Sequence, residues 1–233
     1  MAGDKFRALR GEDEEMAGRN RAISPILHEL GLSAFHNGNI KAALNFMSWA
    51  CADPQAPAIW HRNHSEMLMR SGKAAAAEAE CRLAVGCDPN CACAWETLGT
   101  ILIERGALEE GCECYETAVR IEPTFSAALN NLAVILDHLG QYEAAEARYR
   151  QSLNVVPESP NIQLNLATLL WELGRHWEGR EIVRQVRVRH PNLLRAYSLQ
   201  IEFSGNSRLR GSPRKREQRA LVIIPGDSEQ VGT

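Results

Sequence analysis

The chain has 233 residues, 45% of them hydrophobic, enough to bury a sizeable core. Its formal charge of −3, from 26 basic and 29 acidic side chains, excludes a whole-surface field that would gather nucleic acid or anionic lipid. No run approaches the roughly 18 apolar residues that a membrane span needs. The first residues, Met1 to Lys5 followed by Gly11-Glu12-Asp13-Glu14-Glu15, hold no apolar signal core. A cytoplasmic location is expected, and the odd number of cysteines, seven, fits a reducing compartment. Alanine-rich stretches such as Lys73 to Glu80 favour helix. β-branched residues do not alternate over a strand-length window until near the C-terminus, so the fold class is all-α.

Residues 1–23 are charged and glycine-punctuated and read as an N-terminal extension. Ser24-Pro25 then reads as a helix N-cap with proline in the first turn. From there Gly38, Gly72, Gly106, Gly140 and Gly174 follow one another at intervals of 34 residues. Pro89, Pro123, Pro157 and Pro191 keep the same step, 17 residues after each of the last four glycines, and Pro54 is slightly early. Two punctuation marks per period imply two helices per repeat, with glycine making the turn inside each hairpin and proline closing the second helix.

The residues between these marks agree. Before each glycine runs a first helix with an apolar stripe (Leu30, His64, Leu98, Leu132, Leu166) beside small residues (Gly31, Ser65, Gly99, Ala133, Ala167) that allow close helix approach. After it runs a second helix with inner positions Ala43, Ala77, Gly111, Ala145 and Gly179, then Met47, Cys81, Tyr115, Tyr149 and Val183, then Ala50, Ala84, Ala118, Ser152 and Val186. The repeats fall at about 24–57, 58–91, 92–125, 126–159 and 160–192, the fifth opened by Ser159-Pro160. The second departs most, because His61 and His64 stand where large apolar residues are expected; either that repeat is soft or an imidazole is buried with a partner.

Leu193 to Phe203 would form an amphipathic capping helix, so the repeat region spans 24–203. Residues 204–233 form a basic tail. Between Asn206 and Arg219 it carries six basic residues and one acid, a linker composition. It ends in the strand-like Ala220 to Ile224, which would pair with a partner's sheet edge or open a further domain.

Trp95, Leu98, Gly99, Leu102, Gly106, Leu108, Tyr115, Ala118 and Pro123 resemble the signature of the tetratricopeptide repeat, and Leu132, Ala133, Gly140, Tyr142, Ala145, Tyr149 and Pro157 repeat it. The resemblance covers about residues 24 to 192. It implies a right-handed α-solenoid of five helical hairpins, with peptides bound on the concave face of the first helices.

On that face, nine residues before each glycine, stand Glu29, Asn63, Thr97, Asn131 and Asn165. Amides offer a donor and an acceptor and so can grip an extended peptide backbone. The row looks like the asparagine ladder of O-linked N-acetylglucosamine transferases, interrupted by Glu29 and Thr97. Ordinary inter-helix hydrogen bonding is the other use for it. Around it Arg62, Asn130, Thr168 and Trp171, with Glu66, Glu96, Thr100, Asp137 and Glu172, make a polar, somewhat acidic lining suited to a polar or mildly basic peptide. The expected peptide-binding set is therefore Asn63, Asn131, Asn165, Asn130, Arg62, Thr97, Thr168 and Trp171. A lysine–asparagine clamp for a C-terminal carboxylate is missing, since the residues one step earlier are His28, Arg62, Glu96, Asn130 and Leu164.

Cys87, Cys91 and Cys93, and Cys112 with Cys114, lack the usual two-residue zinc spacing and read as buried or incidental thiols. His61-x2-His64 has no carboxylate at metalloprotease spacing. No catalytic constellation emerges, and neither cofactor nor metal is expected. The expected function is a scaffold that binds a protein or peptide in the concave groove, without nucleic-acid or membrane partners and with self-association through the convex face as a further option. The alternative is the substrate-recruiting region of a larger glycosyltransferase whose catalytic domain these residues do not contain.

Overall fold

The computed structural model describes residues 22–193, and these are helical throughout, with no strand among the described residues. The helices are α1 (residues 22–36), α2 (Ile40–Cys51), α3 (Ala58–Arg70), α4 (Ala74–Cys87), α5 (Ala92–Glu104), α6 (Leu108–Ile121), α7 (Ser126–His138), α8 (Tyr142–Val155), α9 (Pro160–Glu172) and α10 (His176–Arg189). They pair as hairpins, α1 with α2 through α9 with α10, the helical-hairpin architecture that the repeat spacing implies. The capping helix beyond Leu193, the basic tail with its strand-like Leu221 to Ile224, and the extension up to residue 21 lie outside the described residues.

Every hairpin turns on its glycine. Gly38, Gly72, Gly106, Gly140 and Gly174 all have φ between +76° and +85°, a left-handed backbone that a Cβ would strain. That conformation closes a Schellman motif, in which the N–H after the glycine returns to the carbonyl five residues back: Asn39 to Ala34 at 2.8 Å, Lys73 to Leu68 at 2.9 Å, Arg175 to Leu170 at 2.9 Å. Otherwise orphaned carbonyls at the end of each first helix are thereby satisfied.

The proline carbonyls that end the second helices are satisfied by side chains. Trp95 donates its indole N–H to the Pro89 carbonyl (2.8 Å), and Gln163 and Gln151 donate to those of Pro157 (2.6 Å) and Pro123 (3.1 Å). Pro160 opens α9 behind Ser159 as expected, although the Ser159 side chain makes no capping bond. The expectation for Ser24 is corrected: α1 already includes residue 22, so Ser24 is a buried position inside the helix and not its cap.

The chain divides into two compact units, Met1–Gly111 and Cys112–Thr233. In the first, Ala43, Met47 and Met67 form a buried cluster, with Leu32, Phe35 and Cys51 against it. A second cluster joins Ala58, Ala84 and Ala94, and nearby the Cys81 thiol donates to the Ala94 carbonyl at 3.3 Å. In the second unit Tyr115, Tyr149, Leu129, Leu132, Ile135, Leu169, Leu170 and Val186 are fully buried. Each such side chain contributes about 1.5–3 kcal/mol by leaving water. Leu30 departs from the predicted stripe and is exposed.

Two second helices carry glycine where they approach the first: a Cβ on Gly111 would meet the Ile103 side chain at 2.5 Å, and the last hairpin leaves no side chain to give way. A Cβ built on Gly179 would lie 2.8 Å from the Ala167 carbonyl oxygen, a backbone atom with no side-chain freedom to yield. At the same repeat position Ala43, Ala77 and Ala145 are buried without such a clash being forced. Gly179→Ala should therefore destabilise the chain by about 1–3 kcal/mol through overpacking, outweighing a helix-propensity gain of about 1 kcal/mol. Urea unfolding reads this directly, and a variant more stable than the parent would contradict the close approach.

Candidate functional site

The polar row on the first helices is built from bonds between successive repeats. In the first unit Asn63 meets His28 at 3.2 Å, amide nitrogen to Nε2, and the Arg62 Nε–H donates to the Thr97 hydroxyl at 3.2 Å. In the second unit the Asn165 amide donates to Asn130 Oδ1 at 3.1 Å. All three pairs are 35 residues apart. Each joins the residue ten before the glycine of one repeat to the residue nine before the glycine of the next. The predicted ladder is thus a set of rungs between two adjacent columns of side chains.

Secondary contacts fix the rungs. Arg62 also donates from Nη1 to Asn63 Oδ1 (3.1 Å) and pairs with Glu66 (3.4 Å), while the Thr97 hydroxyl donates to the Cys93 carbonyl (2.8 Å). His28 stacks on Trp60 with ring centroids 5.0 Å apart. Burial holds its imidazole below the ordinary value, against the raising effect of Glu29. The neutral ring can then accept the Asn63 amide at Nε2. In the second unit Asn130 donates to Asn131 Oδ1 (3.2 Å) and Thr168 to the Leu164 carbonyl (2.9 Å).

Burial divides the expected binding residues. Asn131 is fully buried, and Asn130 and Thr97 are buried too. Arg62, Asn63, Asn165, Thr168 and Trp171 are half-buried. The Trp171 ring is flanked by His176 (4.6 Å between centroids) and by the Arg180 guanidinium (5.2 Å).

Sequence reasoning missed a second constellation, in the hairpin it singled out as irregular. His61 and His64 lie one turn apart on α3 and are both more than nine-tenths buried. Both face Glu80 of α4: His61 Nδ1 is 2.8 Å from Oε2, and His64 Nδ1 is 3.2 Å from Oε1. A carboxylate only accepts, so His61 carries its proton on Nδ1. His64 Nδ1 is close to Glu80 but makes no aligned hydrogen bond.

Cys51, from the end of α2, completes the group, and its sulfur, one His64 nitrogen and one Glu80 oxygen lie within 4.8 Å of one another. Burial would raise the Glu80 carboxyl, but the hydrogen bond from His61 and the nearness of His64 outweigh it and hold the group at about 2. Burial, with Glu80 nearby, pushes the Cys51 thiol up to about 12. The available signal was the pair of histidines on one helical face; the partner carboxylate stood unremarked in the alanine-rich helix opposite.

The thiols expected to be incidental divide as well. Cys91 and Cys93 place their sulfurs 3.2 Å apart at the start of α5, and the hydrogen bond from Cys93 lowers Cys91 while raising Cys93. Cys81 and Cys114 are buried, and Cys87 is exposed.

Models of the tetratricopeptide repeat match residues 94–125, 114–147 and 139–200. The chain carries tetratricopeptide repeats over this stretch. No curated protein matches the sequence. Among solved structures the chain is similar to PilF of Pseudomonas aeruginosa, at 18% identity over 78% of this chain and 99% of that one, with a TM-score of 0.65. It is similar also to MamA, at 15% identity over 82% and 98% of the two chains and a TM-score of 0.61. A third is a thermophilic tetratricopeptide repeat protein of Thermus thermophilus, at 20% identity over 78% and 97% with a TM-score of 0.60. At these identities the likeness concerns the fold. No helix among the described residues is long and apolar enough to cross a membrane.

The depressed Glu80 carboxyl sets a pH dependence. Its contribution to stability is fully present above the ordinary carboxylate value of 4.5 and is lost as pH falls toward about 2. The stability difference between the wild type and Glu80→Gln, taken from urea midpoints, should therefore shrink as pH is lowered from about 5 to about 2.5. A difference that stays constant over that range would contradict the His61–Glu80 interaction.

Proposed function

We propose that the chain is a protein-interaction scaffold that grips an extended peptide or partner protein along the first-helix faces of its repeats. The observation that carries this reading is the rung geometry: polar side chains on these faces are held in place by the next repeat before any ligand arrives. Asn165 is pinned through its amide to Asn130, while its carbonyl oxygen has no partner among the described residues. Asn63 is held from both sides, by Arg62 and His28. Groups fixed in this way lose little conformational freedom on binding, so the ordering cost falls on the peptide.

In this reading each unit offers its own contact face: Arg62 and Asn63, positioned by the buried Thr97, in the first, and Asn165, Thr168 and Trp171, beside the buried Asn130 and Asn131, in the second. The lining suits a polar peptide recognised through its backbone, because amides read donors and acceptors without regard to side chains. The second reading, a recruiting region of a larger glycosyltransferase, rests on the amide row and on the strand-like Leu221 to Ile224, which lies outside the described residues; in the first unit the row is continued by Arg62 and Thr97 in place of an asparagine pair.

Selection of random linear peptides on the immobilised chain, followed by calorimetry with the strongest synthetic sequence, tests the proposal. Asn63→Ala with Asn165→Ala should weaken binding at least about ten-fold, equivalent to about 1.4 kcal/mol, with helicity retained and the fold intact at the assay temperature despite the lost rung bonds. Peptides whose affinity is untouched by both substitutions would place the binding surface elsewhere.

A further inference from the structure

We propose that Cys51, His64 and Glu80, with His61 supporting the carboxylate, form a binding site for a divalent transition ion of the zinc class. The three donors come from three consecutive helices, α2, α3 and α4, and already converge to within 4.8 Å. A tetrahedral ion with metal–ligand distances of about 2.0–2.3 Å needs donors roughly 3.3–3.8 Å apart, so closure requires a movement of about 1 Å. No other group of three histidine, cysteine or carboxylate side chains converges in this way among the described residues.

Two features separate this cluster from an ordinary buried ion pair. First, His64 Nδ1 is shielded from solvent and makes no aligned hydrogen bond, although a carboxylate oxygen lies 3.2 Å away. A buried imidazole nitrogen in that position costs stability unless something satisfies it, and an ion between it and the carboxylate would do so. Second, His61 donates to the other carboxylate oxygen at 2.8 Å, which orients Glu80 as outer hydrogen bonds orient ligating carboxylates.

The donor set determines the ion. A thiolate with an imidazole and one carboxylate suits zinc, cobalt or copper and disfavours magnesium and calcium, which take oxygen ligands. The fourth position would fall to water, with His61 kept on the Glu80 carboxylate. Binding releases the Cys51 proton to solvent and involves no redox step. The ion would fasten α2 of the first hairpin to both helices of the second, where the apolar stripe is interrupted by the two histidines.

The test uses the full chain, reduced and stripped with a chelator, titrated with Co(II) as a spectroscopic probe and then with Zn(II). One equivalent of Co(II) should give visible bands of tetrahedral cobalt and a near-ultraviolet thiolate charge-transfer band, and Zn(II) should displace it and raise the melting temperature. Cys51→Ser should abolish the charge-transfer band with helicity unchanged, Glu80→Gln should lower affinity by at least about ten-fold, and the Cys91→Ser, Cys93→Ser double variant should bind as the wild type does. Absence of cobalt bands, bands that survive Cys51→Ser, or bands lost only in the Cys91, Cys93 variant would overturn the assignment. If His64→Gln unfolds, Cys51→Ser, whose residue is only partly buried, still decides the question.

Discussion

The left-handed residue at each hairpin turn is the constraint on which the rest depends. With φ near +80° at five positions, two helices of 12 to 15 residues can lie antiparallel over a three-residue connection. Only then do Gly31, Gly99 and Ala167 before the glycine come close to Ala43, Gly111 and Gly179 after it. The apolar stripes that result cannot be buried within one hairpin, so neighbouring hairpins must stack within each unit. Stacking brings position ten of one repeat beside position nine of the next, and the polar rungs follow. A backbone angle set by one residue type in 34 is in this way linked to the surface offered to a ligand.

The second hairpin breaks the pattern and compensates for it. Two imidazoles in place of apolar side chains would leave buried polar nitrogens, at a cost of about 1–3 kcal/mol each if unpaired. Glu80 answers one of them with a short hydrogen bond and approaches the other without aligning to it. A local conflict of this kind is commonly found at functional sites, where one rule of consistency is relaxed for another purpose. The Cys51 thiol beside the same carboxylate adds a third donor type and makes the cluster chemically more specific than a structural ion pair.

The hairpins, their turns and most of the buried stripe were legible because they follow from residues recurring at a fixed step: Gly140 and Gly174 announce their φ, and Tyr115 and Tyr149 their burial. Depth within the stack was not legible in the same way. Asn63, Asn131 and Asn165 hold the same repeat position, yet Asn131 is fully buried and the other two are half-exposed, a difference made by their neighbours in space. The repeat frame also said nothing of Glu80. Its partners lie 16 and 19 positions earlier, across a turn, and only the facing of α3 and α4 brings them together. Ser24 departs from its expected role because α1 already includes residue 22.

The central claim is that polar side chains of successive repeats are energetically coupled, not merely adjacent. A double-mutant cycle on Asn130 and Asn165, with Asn130→Ala, Asn165→Ala and the pair compared by urea unfolding, measures that coupling without reference to any ligand. The rung geometry predicts an interaction of about 0.5–1.5 kcal/mol. Effects that add to within about 0.3 kcal/mol would contradict it.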